Sequence, residues 1–249
     1  HYLDLLARAR EGWDALGTVE GEPLLRLHGL VTHGTGLDLL RVAGILHDRG
    51  IRAELLDGTE AARRWPGIRF EDVALLSVDG GVVRAAPTLR ALEQRIAATG
   101  GQVRWNAPVA RIEQDADGAT VHLADGERIR ADVIVVTAGA WAERLLPGIP
   151  LPPLRVTEVS PAHFLPGDPA VPWPSFNHFV APGSWPAPAY GMPTPGEGVK
   201  VGFHGVGNEV DPDVRSFRPT HQSLLTEYVR EWMPGLDAAT AVPLSCTYT

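Results

Sequence analysis

Lysine and cysteine are almost missing from this chain of 249 residues: Lys200 is the only lysine and Cys246 the only cysteine. A lone thiol permits no internal disulfide and fits a reducing, cytoplasmic setting. It also removes the paired thiolates of a zinc site, and the nine histidines are too scattered to replace them. No run approaches the roughly 20 apolar residues that a membrane-spanning helix needs. There is no basic cluster, and a net charge of −8 speaks against nucleic acid as a partner. Glycine pairs occur, but Gly34-Thr-Gly36, Gly196-Glu-Gly198 and Gly205-Val-Gly207 each lack a third glycine in the register of a dinucleotide fingerprint. Any pyrophosphate cradle therefore lies outside them. The opening residues show no secretory-signal pattern, and the chain starts at His1 without an initiator Met, so the missing signal says little about a longer parent.

What remains is the composition of a globular protein with a sizeable core and room for two domains, 44% hydrophobic and 21% charged. Every cation but one is arginine. Arginine stays charged and planar, whereas lysine is a compact ammonium whose pKa moves on burial, so a single lysine draws attention to its position.

Periodicity predicts a helix over residues 2–16 with Tyr2, Leu5, Leu6, Ala9, Trp13 and Leu16 on one stripe, extended chain over 22–33, and a second helix over 37–48 stopped by Gly50. Thr59 is a candidate cap for a short helix ending before Pro66-Gly67. Pro87 opens a helix carrying Leu89, Leu92 and Ile96 on one face, ended by Gly100-Gly101. A short strand over 102–105, a meander over 109–130 with its Asp125-Gly126 turn, and a doubly covered strand Val133-Ile134-Val135-Val136 follow. The Pro- and Trp-rich stretch 150–184 has weak periodicity. Thr220–Trp232 reads as a helix with Leu224, Leu225, Tyr228 and Trp232 inward. Trp13, Trp65, Trp105 and Trp232 are assigned to packing.

Chemistry concentrates in Val199-Lys200-Val201-Gly202-Phe203-His204. As a strand it places Val199, Val201 and Phe203 on a core face, and Lys200, Gly202 and His204 on the other. Two titratable groups separated by a residue without a side chain leave a gap for something flat. The alternative is an edge strand whose lysine blunts aggregation and whose histidine faces water. For Cys246 the alternative to a reactive role is a buried thiol acting as a small hydrophobe.

Gly198-Val-Lys200-Val-Gly202-Phe-His204, followed by Gly207-Asn-Glu-Val-Asp211-Pro212-Asp213, resembles the signature run of the monomeric sarcosine oxidase and N-methyltryptophan oxidase family. Ser245-Cys246-Thr247-Tyr248-Thr249 resembles the flavin-attachment segment of that family. Arg64-Trp65-Pro66-Gly67, Ala131-Asp132 through Trp141, and Trp232-Met233-Pro234-Gly235 match in order and approximate spacing, so the resemblance spans essentially the whole chain. It implies FAD as cofactor, bound covalently through a thioether from Cys246 to the flavin 8α carbon. It implies that Lys200 sits over the flavin and activates oxygen, that His204 lies at the substrate pocket, and that Tyr190 and Tyr248 line the cavity. Val109, Thr137, Gly139 and Trp141 then line the cofactor from the flavin-domain side. For each tyrosine the alternative is a half-buried packing ring, and for the cofactor-lining residues a tight turn or ordinary packing.

The implied fold is α/β plus α+β: a partial Rossmann-like FAD-binding domain (1–20, 80–149 and 247–249) interleaved with a mixed-sheet substrate domain (21–79 and 150–246). The implied reaction is oxidation of a secondary N-methyl amino acid or related amine by a monomeric, full-length enzyme, with O2 reduced to hydrogen peroxide. In the family the phosphate loop precedes the first residue here and a segment closing the flavin site follows Thr249, so these 249 residues alone are expected to be inactive. Two rivals stay open: a flavin dehydrogenase that passes electrons to a carrier, and a non-catalytic binding module on the same fold.

Overall fold

A computed structural model describes residues 2–249 of the chain. Helix α1 spans Tyr2–Leu16, α2 Leu39–Asp48, α3 Gly58–Arg64, α4 Ala85–Ala98 and α5 Gln222–Trp232. The strands that organise the molecule are β1 (Leu30–Gly34), β2 (Ala53–Asp57), β3 (Val73–Ser77), β4 (Val109–Asp115), β5 (Gly118–Leu123) and β6 (Arg128–Ala131). After them come β7 (Thr157–Val159), β8 (Ala162–Pro166), β9 (Ser175–Phe179), β10 (Ala189–Thr194), β11 (Gly198–Phe203), β12 (Gly207–Glu209), β13 (Leu236–Pro243) and β14 (Cys246–Tyr248).

Eight of these strands form one mixed sheet in the order β13-β8-β11-β10-β9-β1-β3-β2. Its single parallel pairing is β9 with β1, which joins the part built from residues 30–77 to the part built from 162–243. One face of the sheet is the core. Val199, Val201 and Phe203 on β11, Phe164 on β8, Phe176 on β9 and Val31 on β1 are all buried there. Leu225, Tyr228 and Val229 of α5 and Ala61 of α3 close the layer from above. Helix spacing on α5 and strand alternation on β11 therefore meet, as their two periods require. Leu224, expected inward, is exposed, because the buried stripe runs through 225, 228, 229 and 233 instead.

The meander is present as β6-β5-β4, all antiparallel. The first helix and the helix opened by Pro87 are also where the periodicity put them. The cap of helix α3 lies two residues earlier than expected: Asp57, not Thr59, accepts from the Glu60 amide at 2.8 Å. Two expected strands do not form. Residues 102–105 and 133–136 are irregular, with Val133, Val135 and Trp105 exposed. A strand needs a neighbour to take its hydrogen bonds, and none of the described residues runs beside either segment. Trp105 thus leaves the packing list, while Trp65 is buried. Among the described residues no helix is long and apolar enough to cross a membrane.

Candidate active site

Strand β11 lies inside the sheet, between β8 and β10, which removes the edge-strand reading of Lys200. A lysine in the middle of a sheet must send its ammonium along the uncovered face, and it does so toward a second, smaller sheet. That sheet has the order β12-β7-β14, with Cys246 opposite Val159 and Tyr248 opposite Thr157. The outcome is a contact between the chain's two rare residues: Lys200 Nζ lies 3.8 Å from Cys246 Sγ. Both side chains are half-buried, and Cys246 is a free thiol.

Three further rings complete the cluster. Tyr190 on β10 stands opposite Gly202, and its ring centroid is 6.0 Å from Lys200 Nζ. Burial pushes its phenol well above the ordinary tyrosine range, and Tyr248 and Cys246 add to the shift, Tyr248 partly through a side-chain hydrogen bond. His204 follows the end of β11, and its ring is 4.6 Å from that of Tyr190. Partial burial lowers its pKa below the usual histidine value. So Lys200, Tyr190, His204, Cys246 and Tyr248 share one place in the molecule. The gap expected over Gly202 is not open: a Cβ there would lie 2.8 Å from Pro161 Cβ and 3.1 Å from Tyr190 Cε1. The flat object it admits is the ring of Tyr190.

Val109, Thr137 and Trp141 line a separate cleft of about 740 Å³ together with Arg144 and Asp213. Gly139 is not among its lining residues; with φ +51° it begins the single turn that turns Trp141 toward the cleft. Trp141 Nε1 donates to Asp213 at 2.7 Å, and Arg144 pairs with Asp211 at 2.8 Å. Asp211 and Asp213 follow β12, whose partner β7 also pairs with the strand of Cys246. The small sheet thus links the two groups of site residues.

Two titratable positions were not singled out by sequence. Glu158 on β7 is buried and accepts from Ser245 Oγ at 2.6 Å, fixing the residue before Cys246. His163 on β8 is buried opposite Lys200. Both sit in the Pro-rich region, where alternation extends over too few residues to be read.

The family profile described as "DAO: FAD dependent oxidoreductase" matches residues 1–248. The chain belongs to this family. Among curated relatives of this DAO-family chain, an N-methyl-L-tryptophan oxidase from Citrobacter koseri is 28% identical over 99% of the chain and 67% of its own length. A monomeric sarcosine oxidase from a Bacillus species is 28% identical over 100% of the chain and 66% of its own length. A human peroxisomal sarcosine oxidase reaches 32%, again over 100% of the chain and 66% of its own length. The DAO-family chain therefore spans about two thirds of these relatives. Among solved structures, the open form of NikD, an unusual amino acid oxidase, superposes with TM-score 0.81 at 24% identity, covering 94% of this chain and 64% of the other. Glycine oxidase from Geobacillus kaustophilus gives 0.76 at 21% identity, covering 98% and 65%. These two likenesses establish the shared fold, and the expected α/β architecture with a large mixed sheet stands.

FAD is the cofactor of the family, and the donor set in this structure fits the ring end of such a group. A thiol able to bond carbon and an ammonium able to face an electron-rich ring occupy one half-buried spot.

Proposed function

We propose that the full-length protein is an FAD-dependent oxidase of secondary N-methyl amino acids or related small amines. The juxtaposition of Lys200 and Cys246 carries this reading, because it puts a cation and an attachment point at one spot. When bound, FAD accepts two electrons from the amine and returns them to O2. The net change is a secondary amine plus O2 plus water giving the dealkylated amine, a carbonyl compound and hydrogen peroxide.

In this reading Cys246 would hold the ring covalently through its sulfur, the two electrons released as the C–S bond forms passing through the flavin to O2. Lys200 stabilises the negative charge that develops on oxygen as it takes its first electron, a role that a fixed cation fills with little reorganisation. Tyr190, kept neutral by its raised pKa, and Tyr248 present phenol hydroxyls to the substrate. His204, neutral near pH 7 because its pKa is lowered, lets a cationic amine approach without repulsion. Val109, Thr137, Gly139 and Trp141 belong to the cofactor side. The division into an FAD-binding part (1–20, 80–149 and 247–249) and a substrate part (21–79, 150–246) is supported by the main sheet, all of whose strands come from the second set. The single thiol fits a reducing compartment, the resemblance to the monomeric sarcosine oxidase family implies a monomer, and residues 1–249 alone are expected to be inactive.

Peroxide formation by the full-length protein with N-methyl amino acids tests the proposal. Lys200→Met should lower kcat/KM for O2 by at least 100-fold while amine-driven flavin bleaching persists. An undiminished oxygen rate in Lys200→Met would remove oxygen activation from this lysine, and flavin bleaching without peroxide in the full-length protein would move the assignment to a dehydrogenase.

A further inference from the structure

His163 and Lys200 are direct partners in the antiparallel pairing of β8 with β11, so their side chains leave the same face of the sheet. The imidazole is buried, and its Nδ1 lies 3.0 Å from Glu197 Oε2. Glu197 sits in the turn that joins β10 to β11, three residues before Lys200. A carboxylate, an imidazole and an ammonium are therefore arranged in that order on one patch. We propose that His163, anchored by Glu197, is a positioning residue for Lys200, directing its ammonium toward Cys246 and changing the charge beside it when the imidazole takes a proton.

The neighbourhood is sparse enough for this coupling to be read. Opposite His163 on its other side stands Val242 of β13, which is apolar. Opposite Lys200 on β10 is Met192, and the remaining groups near its ammonium are Cys246, Tyr190 and, through Tyr190, Tyr248 and His204. Burial holds His163 below the ordinary histidine pKa; Glu197 opposes that shift and the Lys200 ammonium adds to it. Near neutral pH the imidazole is uncharged, and among the described residues Lys200 is the cation that bears on it. In acid, His163 pairs with Glu197 as an ion, and the lysine acquires a like-charged neighbour. The consequence for oxygen activation rests on the role proposed above for Lys200, but the coupling itself is a property of this chain.

Labelling the holoenzyme with [13Cε,15Nζ]-lysine gives a Lys200 side-chain resonance, assigned as the one that is missing in Lys200→Arg; Lys200 is the only lysine in residues 1–249. That resonance should show an inflection below pH 6.5. His163→Phe should abolish it, and Glu197→Gln, an exposed change, should move it to lower pH while His204→Asn leaves it in place. A signal without that inflection, or one that survives His163→Phe or disappears with His204→Asn, overturns the proposal. Should His163→Phe fail to fold, an inflection unmoved by Glu197→Gln does the same. In activity measurements, the pH profile of kcat/KM for O2 should lose its acid limb in His163→Phe. If Lys200→Met leaves the oxygen rate intact while the resonance behaves as expected, the oxygen-activating role proposed for Lys200 falls and the positioning pair stands.

Discussion

His33 and His178 are the two imidazoles that the core face of the sheet encloses, stacked with ring centroids 4.2 Å apart. His178 Nδ1 meets the Tyr228 hydroxyl of α5 at 2.9 Å, whereas neither nitrogen of His33 has a hydrogen-bond partner among the described residues. Burial lowers their pKa values from 6.5 to about 3 for His33, where the neighbouring His178 charge contributes, and to about 4 for His178. Both shifts are downward, so the unfolded chain takes up protons that the folded one refuses. Stability is therefore full above pH 6.5 and falls as the pH drops toward 4. His33→Phe should remove about 2 kcal/mol of the loss between pH 7 and pH 5, at up to roughly 1.4 kcal/mol per pH unit per histidine. Urea midpoints at the two pH values measure it, and a wild-type midpoint independent of pH would refute the argument. The histidines were not singled out by sequence, since two positions on separate strands become neighbours only through the parallel pairing of β9 with β1. Lys200 and Cys246, by contrast, could be picked out because each is alone in its class.

Elements were legible where their stabilising partner lies nearby in sequence. Helix α5, the meander and β11 each carry a local pattern, and each forms. Segments 102–105 and 133–136 carry equally good strand patterns and do not form, because a strand's hydrogen bonds are made by a neighbour and not by itself. Capping shows the finer limit: Asp57 and Thr59 are both competent N-cap residues, and the choice is made by the pairing of β2 with β3 that carries the chain to Asp57. Asp57→Ala should lower stability by about 1 kcal/mol, whereas Thr59→Ala should leave it nearly unchanged. Thermal or urea unfolding of the two variants decides between the caps, and a larger effect at Thr59 would restore the sequence-based choice.

At the scale of the molecule, the large sheet supplies the lysine and the small sheet supplies the cysteine, so the site exists only where the two meet. Their approach could not be derived from spacing, since 46 residues and a helix separate them. The resemblance implied it and the pairings account for it: β11 carries Lys200 through the middle of one sheet, while β7 holds β14 and Cys246 beside it. The central claim is that this shared spot receives the flavin ring. Acid precipitation of the full-length protein from flavin-replete cells, followed by peptide mass spectrometry, tests it most directly. Flavin should be retained by the denatured polypeptide, with the added mass of FAD on the peptide containing Cys246 and none in Cys246→Ser. Flavin wholly released into the supernatant, with Cys246 recovered as a free alkylatable thiol, would contradict it.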